Sequence, residues 1–156
     1  MPDRSFRNCH LPPELFYDVR NHVWVRPEAG GLYTLGITDP GQTLSGELLY
    51  VAHKQVGTLV GVGKALAIIE SGKSIWPVRC PIAGEIAALH ALVAEQPITI
   101  NRDPYGEGWI VRVKAADGAA GLSAGLGRLV TGTEAGAHYL PVLEDLGFGQ
   151  CIPVVK

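Results

Sequence analysis

Ala65-Leu66-Ala67-Ile68-Ile69-Glu70-Ser71-Gly72-Lys73-Ser74-Ile75-Trp76-Pro77-Val78-Arg79 decides the fold of this chain. Two short apolar runs, Ala65 to Ile69 and Ile75 to Arg79, are separated by a polar reversal containing Gly72. Runs of that length, bounded by turn formers, read as two strands joined by a tight turn. Lys73 falls in the turn, where its amine must face water. Gly63 stands ten residues before it and Gly84 eleven residues after it, each leading an apolar run, so the lysine lies near the middle of a weak internal repeat. The arrangement presents a lysine for modification.

The pattern extends outward in both directions. His22 to Arg26 and Leu32 to Ile37, separated by Pro27-Glu28-Ala29-Gly30-Gly31, read as a hairpin, because β-branched and aromatic residues flank glycines able to turn the chain. Thr38 or Asp39 is positioned to cap a helix with Pro40 at its first position, and Glu47 to Val51 follows as a strand. Val56 to Val60, Gly84 to Leu89 and Trp109 to Val113 continue a series of short strands punctuated by Gly or Pro up to Lys114. Such spacing predicts a small sandwich or barrel, not a parallel α/β sheet. Residues 1–20 read as a lead-in broken by Pro12-Pro13, residues 21–114 as the body, and residues 115–156 as a tail packed on it. Within the tail, the Gly/Ala-rich stretch Ala115 to Gly127 reads as a linker, and Thr133 to Leu146 as a short amphipathic helix interrupted at Pro141.

Composition narrows the function. The 156 residues carry a formal charge of −2 with 18% charged residues, which supplies no basic surface for phosphates and argues against nucleic acid. No apolar run is long enough to span a bilayer, and the opening residues lack a secretory signal, so a cytoplasmic protein with no membrane contact is expected. Cys9, Cys80 and Cys151 are too few and too scattered for a disulfide framework or a zinc site and predict free thiols in a reducing compartment. Pairing of Cys9 with Cys151 stays open as the alternative, to be read from a free-thiol count. His10, His22, His53, His90 and His138 are isolated, with no pair at helical ligand spacing, so metal catalysis has no support. His53, beside Lys54, reads as an ordinary polar loop residue, with a place on a docking surface as the sharper option.

Ala67-Ile68-Ile69-Glu70-Ser71-Gly72-Lys73-Ser74 comes close to a phosphate-binding loop, with Ala67 where its first glycine would be. That motif needs exposed loop amides and a helix starting at the lysine, whereas Ile68 and Ile69 favour burial and Pro77 and Pro81 break a helix. A nucleotide hydrolase is therefore disfavoured. Of the three tryptophans, Trp24 and Trp109 read as core. Trp76, three residues past Lys73, is placed to shelter a group carried on the lysine.

His22-Val23-Trp24-Val25, Gly36-Ile37-Thr38-Asp39, Glu70-Ser71-Gly72-Lys73, Pro81-Ile82-Ala83-Gly84-Glu85 and Asn101 to Trp109 together resemble the glycine-cleavage H-protein family over about residues 21–114. The resemblance implies a mainly β, barrel-sandwich hybrid fold with short peripheral helices. It implies a non-catalytic carrier whose matching lysine, Lys73, bears lipoic acid through an amide bond. A solvent-facing lysine amine is mostly protonated at neutral pH, so a lipoate ligase must position and deprotonate it. Glu70, Ser71 and Gly72 would then mark the turn for that ligase, with plain hydrated turn residues as the equal alternative for Glu70 and Ser71. Biotin carriage is disfavoured, because the lysine of that family usually lies between methionines and Met1 is the single methionine of this chain.

Two departures refine the resemblance. Gly72 precedes the lysine where valine is usual, and Ser74-Ile75-Trp76-Pro77 follows where small residues are usual. These departures, the lead-in Cys9 to Val19 and the tail around Leu129 to Glu134 are similar to the H-protein-like lipoate-binding proteins of sulfur-oxidising prokaryotes. That branch implies transfer of sulfur intermediates with a heterodisulfide-reductase-like complex and lipoamide dehydrogenase as partners. The alternative is a glycine-cleavage carrier of an aminomethyl group, working with the P, T and L proteins.

Overall fold

The computed structural model of the chain describes residues 3–153, so the extreme ends of the lead-in and of the tail, and Met1 with them, lie outside the described residues. Strand β1 (Phe16–Asp18) opens the fold, followed by β2 (Val23–Pro27), β3 (Leu32–Ile37), helix α1 (Asp39–Ser45), β4 (Leu48–His53), β5 (Leu59–Val60), β6 (Ala65–Ser71), β7 (Ile75–Arg79) and β8 (Gly84–Leu89). Helices α2 (Ala91–Glu95) and α3 (Ile98–Arg102), strand β9 (Val111–Ala115), helix α4 (Gly118–Leu126), β10 (Val130–Thr131) and helix α5 (Ala135–Asp145) complete it. The strands form two antiparallel sheets, one of seven in the order β10-β1-β2-β3-β9-β8-β5 and one of three in the order β4-β6-β7. This is the small β sandwich that the strand spacing predicts, with the short peripheral helices that the resemblance implies.

Period-two alternation assigns the two faces of the larger sheet. On β2, Val23 and Val25 point into the main core with Leu35, Leu66, Ile69, Val78 and Val113, while Trp24 points the other way into a second core with Tyr17, Tyr139 and Leu143. Each such fully buried aliphatic side chain contributes about 1.5–3 kcal/mol of transfer free energy. The two glycine-led runs of the internal repeat fall in different sheets, as β6 and β8. Pro77 is tolerated in β7 because that strand is the edge of its sheet.

Several expectations need correction. The run Val56 to Val60 pairs only over β5, because Gly57, at φ 91°, turns the chain just before it. Two five-residue helices, α2 and α3, stand in a region that reads as strand and turn; each buries a single apolar anchor, Val93 or Ile100. The Gly/Ala-rich linker is helix α4: Leu122 is buried, and Gly125 lets the helix lie against Ile82, whose Cγ2 would come within 2.6 Å of a Cβ there. Helix α5 runs through Pro141 without interruption. Pro141 sits on the exposed side, while Ala135, Tyr139 and Leu143, spaced four apart, anchor the opposite face in the second core.

The expectation of free thiols fails at two of three positions. Cys9 and Cys151 form a buried disulfide with Cα atoms 4.9 Å apart, although 142 residues separate them in sequence. Around it, Cys151 N–H donates to the Arg7 carbonyl and Asn8 Nδ2 donates to the Cys151 carbonyl. Cys80 is a free thiol, buried in the main core beside the Tyr33 hydroxyl.

Candidate lipoyl-attachment site

Lys73 stands exposed in the three-residue turn between β6 and β7, and no helix begins at it, which removes the context a phosphate-binding loop needs. The turn is built by its serines. The Ser71 N–H donates to the Ser74 carbonyl at 2.9 Å, and Ser71 Oγ accepts from the Lys73 and Ser74 N–H groups at 3.2 and 3.1 Å. Ser71 and Ser74 hydroxyls both donate to one carbonyl, that of Ser45 at the end of α1. Gly72 has open space where a Cβ would stand and no positive φ, so the turn itself does not require glycine there.

Helix α1 is thus the platform for the lysine. Thr38 caps it, its hydroxyl accepting from the Gly41 N–H at 3.1 Å, with Pro40 at the second helical position. Gly46 closes it at φ 82°, a conformation that side chains disfavour, and a Cβ there would lie 3.0 Å from Lys73 Cε. The lysine stem therefore rests on Gly46. Buried Asn101 of α3 fixes the same end: its Nδ2 donates to Gln42 Oε1 and to the Gly46 carbonyl, and its Oδ1 accepts from the Leu48 N–H.

Glu70 lies on the outer face of the small sheet, paired across strands with Tyr50 and Ile75. Tyr50 and Ile75 are about two-thirds exposed, at 66% and 68%, so an apolar rim surrounds the turn on that side. On the other side a groove of about 820 Å³ begins at Ser74 and Trp76 and runs between β7, the β1–β2 loop and α5, with Leu44 of α1 at its edge. Trp76 forms its wall. Its ring stacks on His22, which stacks in turn on Tyr139, with centroid separations of 5.5 and 5.7 Å. His22 Nδ1 meets the Tyr139 hydroxyl at 3.0 Å, and that hydroxyl meets Thr38 Oγ1 at 2.6 Å. Burial depresses the His22 pKa to about 4, against a smaller opposing pull from Asp18, and burial likewise raises that of Tyr139.

The structure gathers Glu70, Ser71, Gly72, Lys73 and Trp76 around one turn, and it adds Ser45, Gly46, Asn101 and the groove. Trp24 is core, as its strand position predicts. Trp109 is half-buried, sandwiched between the His90 ring and the Arg112 guanidinium, each at 4.1 Å. His53 lies away from the turn at the far end of β4, in contact with the Ile110 carbonyl. Among the described residues, no cluster of three or more His, Cys, Asp or Glu side chains could hold a metal, and no helix is long and apolar enough to cross a membrane.

A family profile described as glycine cleavage H-protein matches residues 15–132. The chain belongs to the glycine cleavage H-protein family. It is 41% identical over 148 residues to glycine cleavage system H protein 2 of Aquifex aeolicus, covering 94% of this chain and 89% of that one. It is 47% identical over 110 residues to H protein 3 of the same organism, covering 70% and 68%. Among solved structures, a glycine cleavage system H protein from Mycobacterium marinum superposes with a TM-score of 0.69 at 27% identity, over 81% of this chain and 97% of that one. H proteins are non-catalytic carriers with lipoic acid attached to a lysine, and they work with the P, T and L proteins of glycine cleavage. The barrel-sandwich hybrid fold agrees with the two-sheet architecture.

Proposed function

We propose that Lys73 bears the lipoyl group and that this carrier serves sulfur oxidation in the cytoplasm, exchanging sulfur intermediates with a heterodisulfide-reductase-like complex and lipoamide dehydrogenase. The observation that carries the attachment is the exposed lysine on a serine-braced turn, its stem resting on Gly46. Attached there, the dithiolane supplies a two-electron thiol/disulfide couple on a tether, which raises its effective concentration at each docked partner. The chain's own residues orient and shelter it. Ser71 and Ser74 fix the turn, and Trp76 with Leu44 offers the arm an apolar wall. Glu70 and Gly72 leave the approach to Lys73 open for a ligase.

The sulfur reading draws on the residues flanking Lys73 and on the relatives. The match to H protein 2 extends through the lead-in and tail beyond the span of the family profile. Incubation with a lipoate ligase and lipoate should add one lipoyl mass, absent in Lys73→Arg. Reconstitution with glycine decarboxylase components then separates the pathways: robust glycine turnover would replace sulfur transfer with aminomethyl transfer.

A further inference from the structure

The C-terminal end of α1 presents two successive carbonyls whose side-chain partners come from outside the helix. The Ser45 carbonyl accepts from the Ser71 and Ser74 hydroxyls of the lysine turn, and the Gly46 carbonyl accepts from Asn101 Nδ2 at 2.9 Å. Asn101 Oδ1 also accepts from the Leu48 N–H at 2.9 Å, so one side chain grips the backbone on both sides of Glu47 as it leaves the helix. A further bond donated by Asn101 Nδ2, at 3.1 Å, goes to Gln42 Oε1 within α1. Gln42 Nε2 in turn donates to Asp39 Oδ1 and to the Ile152 carbonyl, at 2.9 and 3.0 Å. Gln42 and Asn101 are 1% and 3% exposed. Buried primary amides are costly to desolvate and are tolerated only with their partners in place. Both of these close on the helix end that carries the lysine turn.

We propose that Gln42 and Asn101 are a pair of positioning residues for the acylation of Lys73. The inference rests on attachment of lipoate at Lys73, and it concerns what aims the amine. The turn hangs on the Ser45 carbonyl, and the lysine stem lies against Gly46, where a Cβ would stand 3.0 Å from Lys73 Cε. Between the Ser45 and Gly46 carbonyls stand the φ and ψ of Gly46, at 82° and −171°. A glycine holds such angles with no steric barrier of its own. The Asn101 bonds to Gly46 and Leu48 therefore fix the Ser45 carbonyl relative to β4, and without them both supports of the lysine can swing. By accepting on Oε1, Gln42 keeps the Asn101 amide turned with its nitrogen toward the helix end and its oxygen toward Leu48. In acylation the neutral Lys73 amine attacks the carboxyl carbon of adenylated lipoate. The C–N bond forms, the C–O bond to AMP breaks with its electron pair leaving on AMP, and the nitrogen gives up a proton to water. Such an attack depends on the direction from which the amine arrives.

Full-length wild type, Asn101→Ala and Gln42→Met are each given lipoate ligase, lipoate and ATP at a temperature where circular dichroism shows them folded. Initial rates are read by intact mass over a range of carrier concentration. Leu122→Ala, which opens the main core at α4, is the control for lost stability alone. Both pair variants should lose about tenfold in kcat, the scale of one or two net hydrogen bonds, with KM moved by less than about twofold. Leu122→Ala should keep the wild-type kcat. Acetic anhydride labelling of Lys73, which senses exposure of the amine and not its aim, should be equal in all four proteins. Asn101→Asp keeps an acceptor for the Leu48 N–H and loses the donor to Gly46. It stands in if Asn101→Ala does not fold, and it should show the same loss in kcat. An unchanged kcat in the folded pair variants, or a loss that Leu122→Ala shares, would overturn the proposal. Absence of a lipoyl adduct on the wild type, or an adduct that persists in Lys73→Arg, would instead remove the attachment reading, and this one with it.

Discussion

The Ser71 side chain donates its hydroxyl to the main-chain carbonyl of Ser45, joining the β6–β7 turn to the last residue of α1. The same oxygen accepts from the backbone amides of Lys73 and Ser74, so one hydroxyl both shapes the turn and anchors it. Ser71→Ala removes all three bonds while Ser74 keeps its own bond to Ser45. Stability should fall by about 1–2 kcal/mol, and the rate of lipoylation by several-fold, as followed by intact-mass time courses. Ser71→Thr, which preserves the hydroxyl, should recover most of both; an unchanged rate in Ser71→Ala would show that the ligase reads the lysine without the turn's help.

Gly46→Ala tests the platform from the other side. Its φ of 82° places an L residue in a disfavoured conformation, and the new methyl meets Lys73 Cε at 3.0 Å. A loss of about 1–2 kcal/mol is expected in denaturant unfolding. Slower lipoylation should accompany it, because the lysine stem must move off the helix end.

His22 gives the fold an acid limb. Its folded pKa of about 4 lies below the ordinary 6.5, so the unfolded chain binds a proton that the native state refuses. Its contribution is complete above about pH 6.5 and is lost as pH falls toward 4, amounting to about 3 kcal/mol over that window. Chemical denaturation between those limits should show the slope, and His22→Gln should flatten it. A wild-type stability curve that is level from pH 7 to pH 4.5 would refute this account of the histidine.

Cys151→Ser, or reduction under native conditions, should lower stability by about 2–5 kcal/mol and the thermal midpoint with it. Lys73 lipoylation should survive at temperatures where the protein remains folded, since the disulfide lies in the second core and not at the turn. Titration of the untreated, denatured protein should find one free thiol, that of Cys80.

Trp76→Ala removes the wall of the groove and the outer ring of the stack on His22. Attachment of lipoate to Lys73 should proceed as in the wild type, whereas a loaded arm should lose its load faster to solvent. Equal lifetimes for the two proteins would exclude Trp76 as a shelter.

The hairpin that presents Lys73 is legible in sequence because strand formers flank a polar reversal; β7 matches the expected run end to end, while β6 continues two residues past Ile69 to Ser71. Helices α2 and α3 are not, since five residues hold barely more than one turn and leave no periodicity to read. Gly125 misleads for a related reason: composition marks it as flexible, while its role is to let α4 lie against Ile82. At the site, Lys73, Glu70 and Trp76 are neighbours in sequence and can be found there. Ser45 and Asn101 act through a carbonyl and an amide contributed from distant elements, which no local pattern encodes. The Cys9–Cys151 bond belongs to the same class, because only the folded path of β1, α1 and α5 brings the two ends together.

That bond also closes residues 9–151 into a covalent ring, with the flanking tails outside it. A protease that nicks one surface loop within the ring would leave both fragments joined, and an oxidised sample would migrate as a single species until a reductant released them. Mechanical tension applied at the two termini would pull only on the tails, so the sheets carrying the lysine turn would stay out of reach of the force.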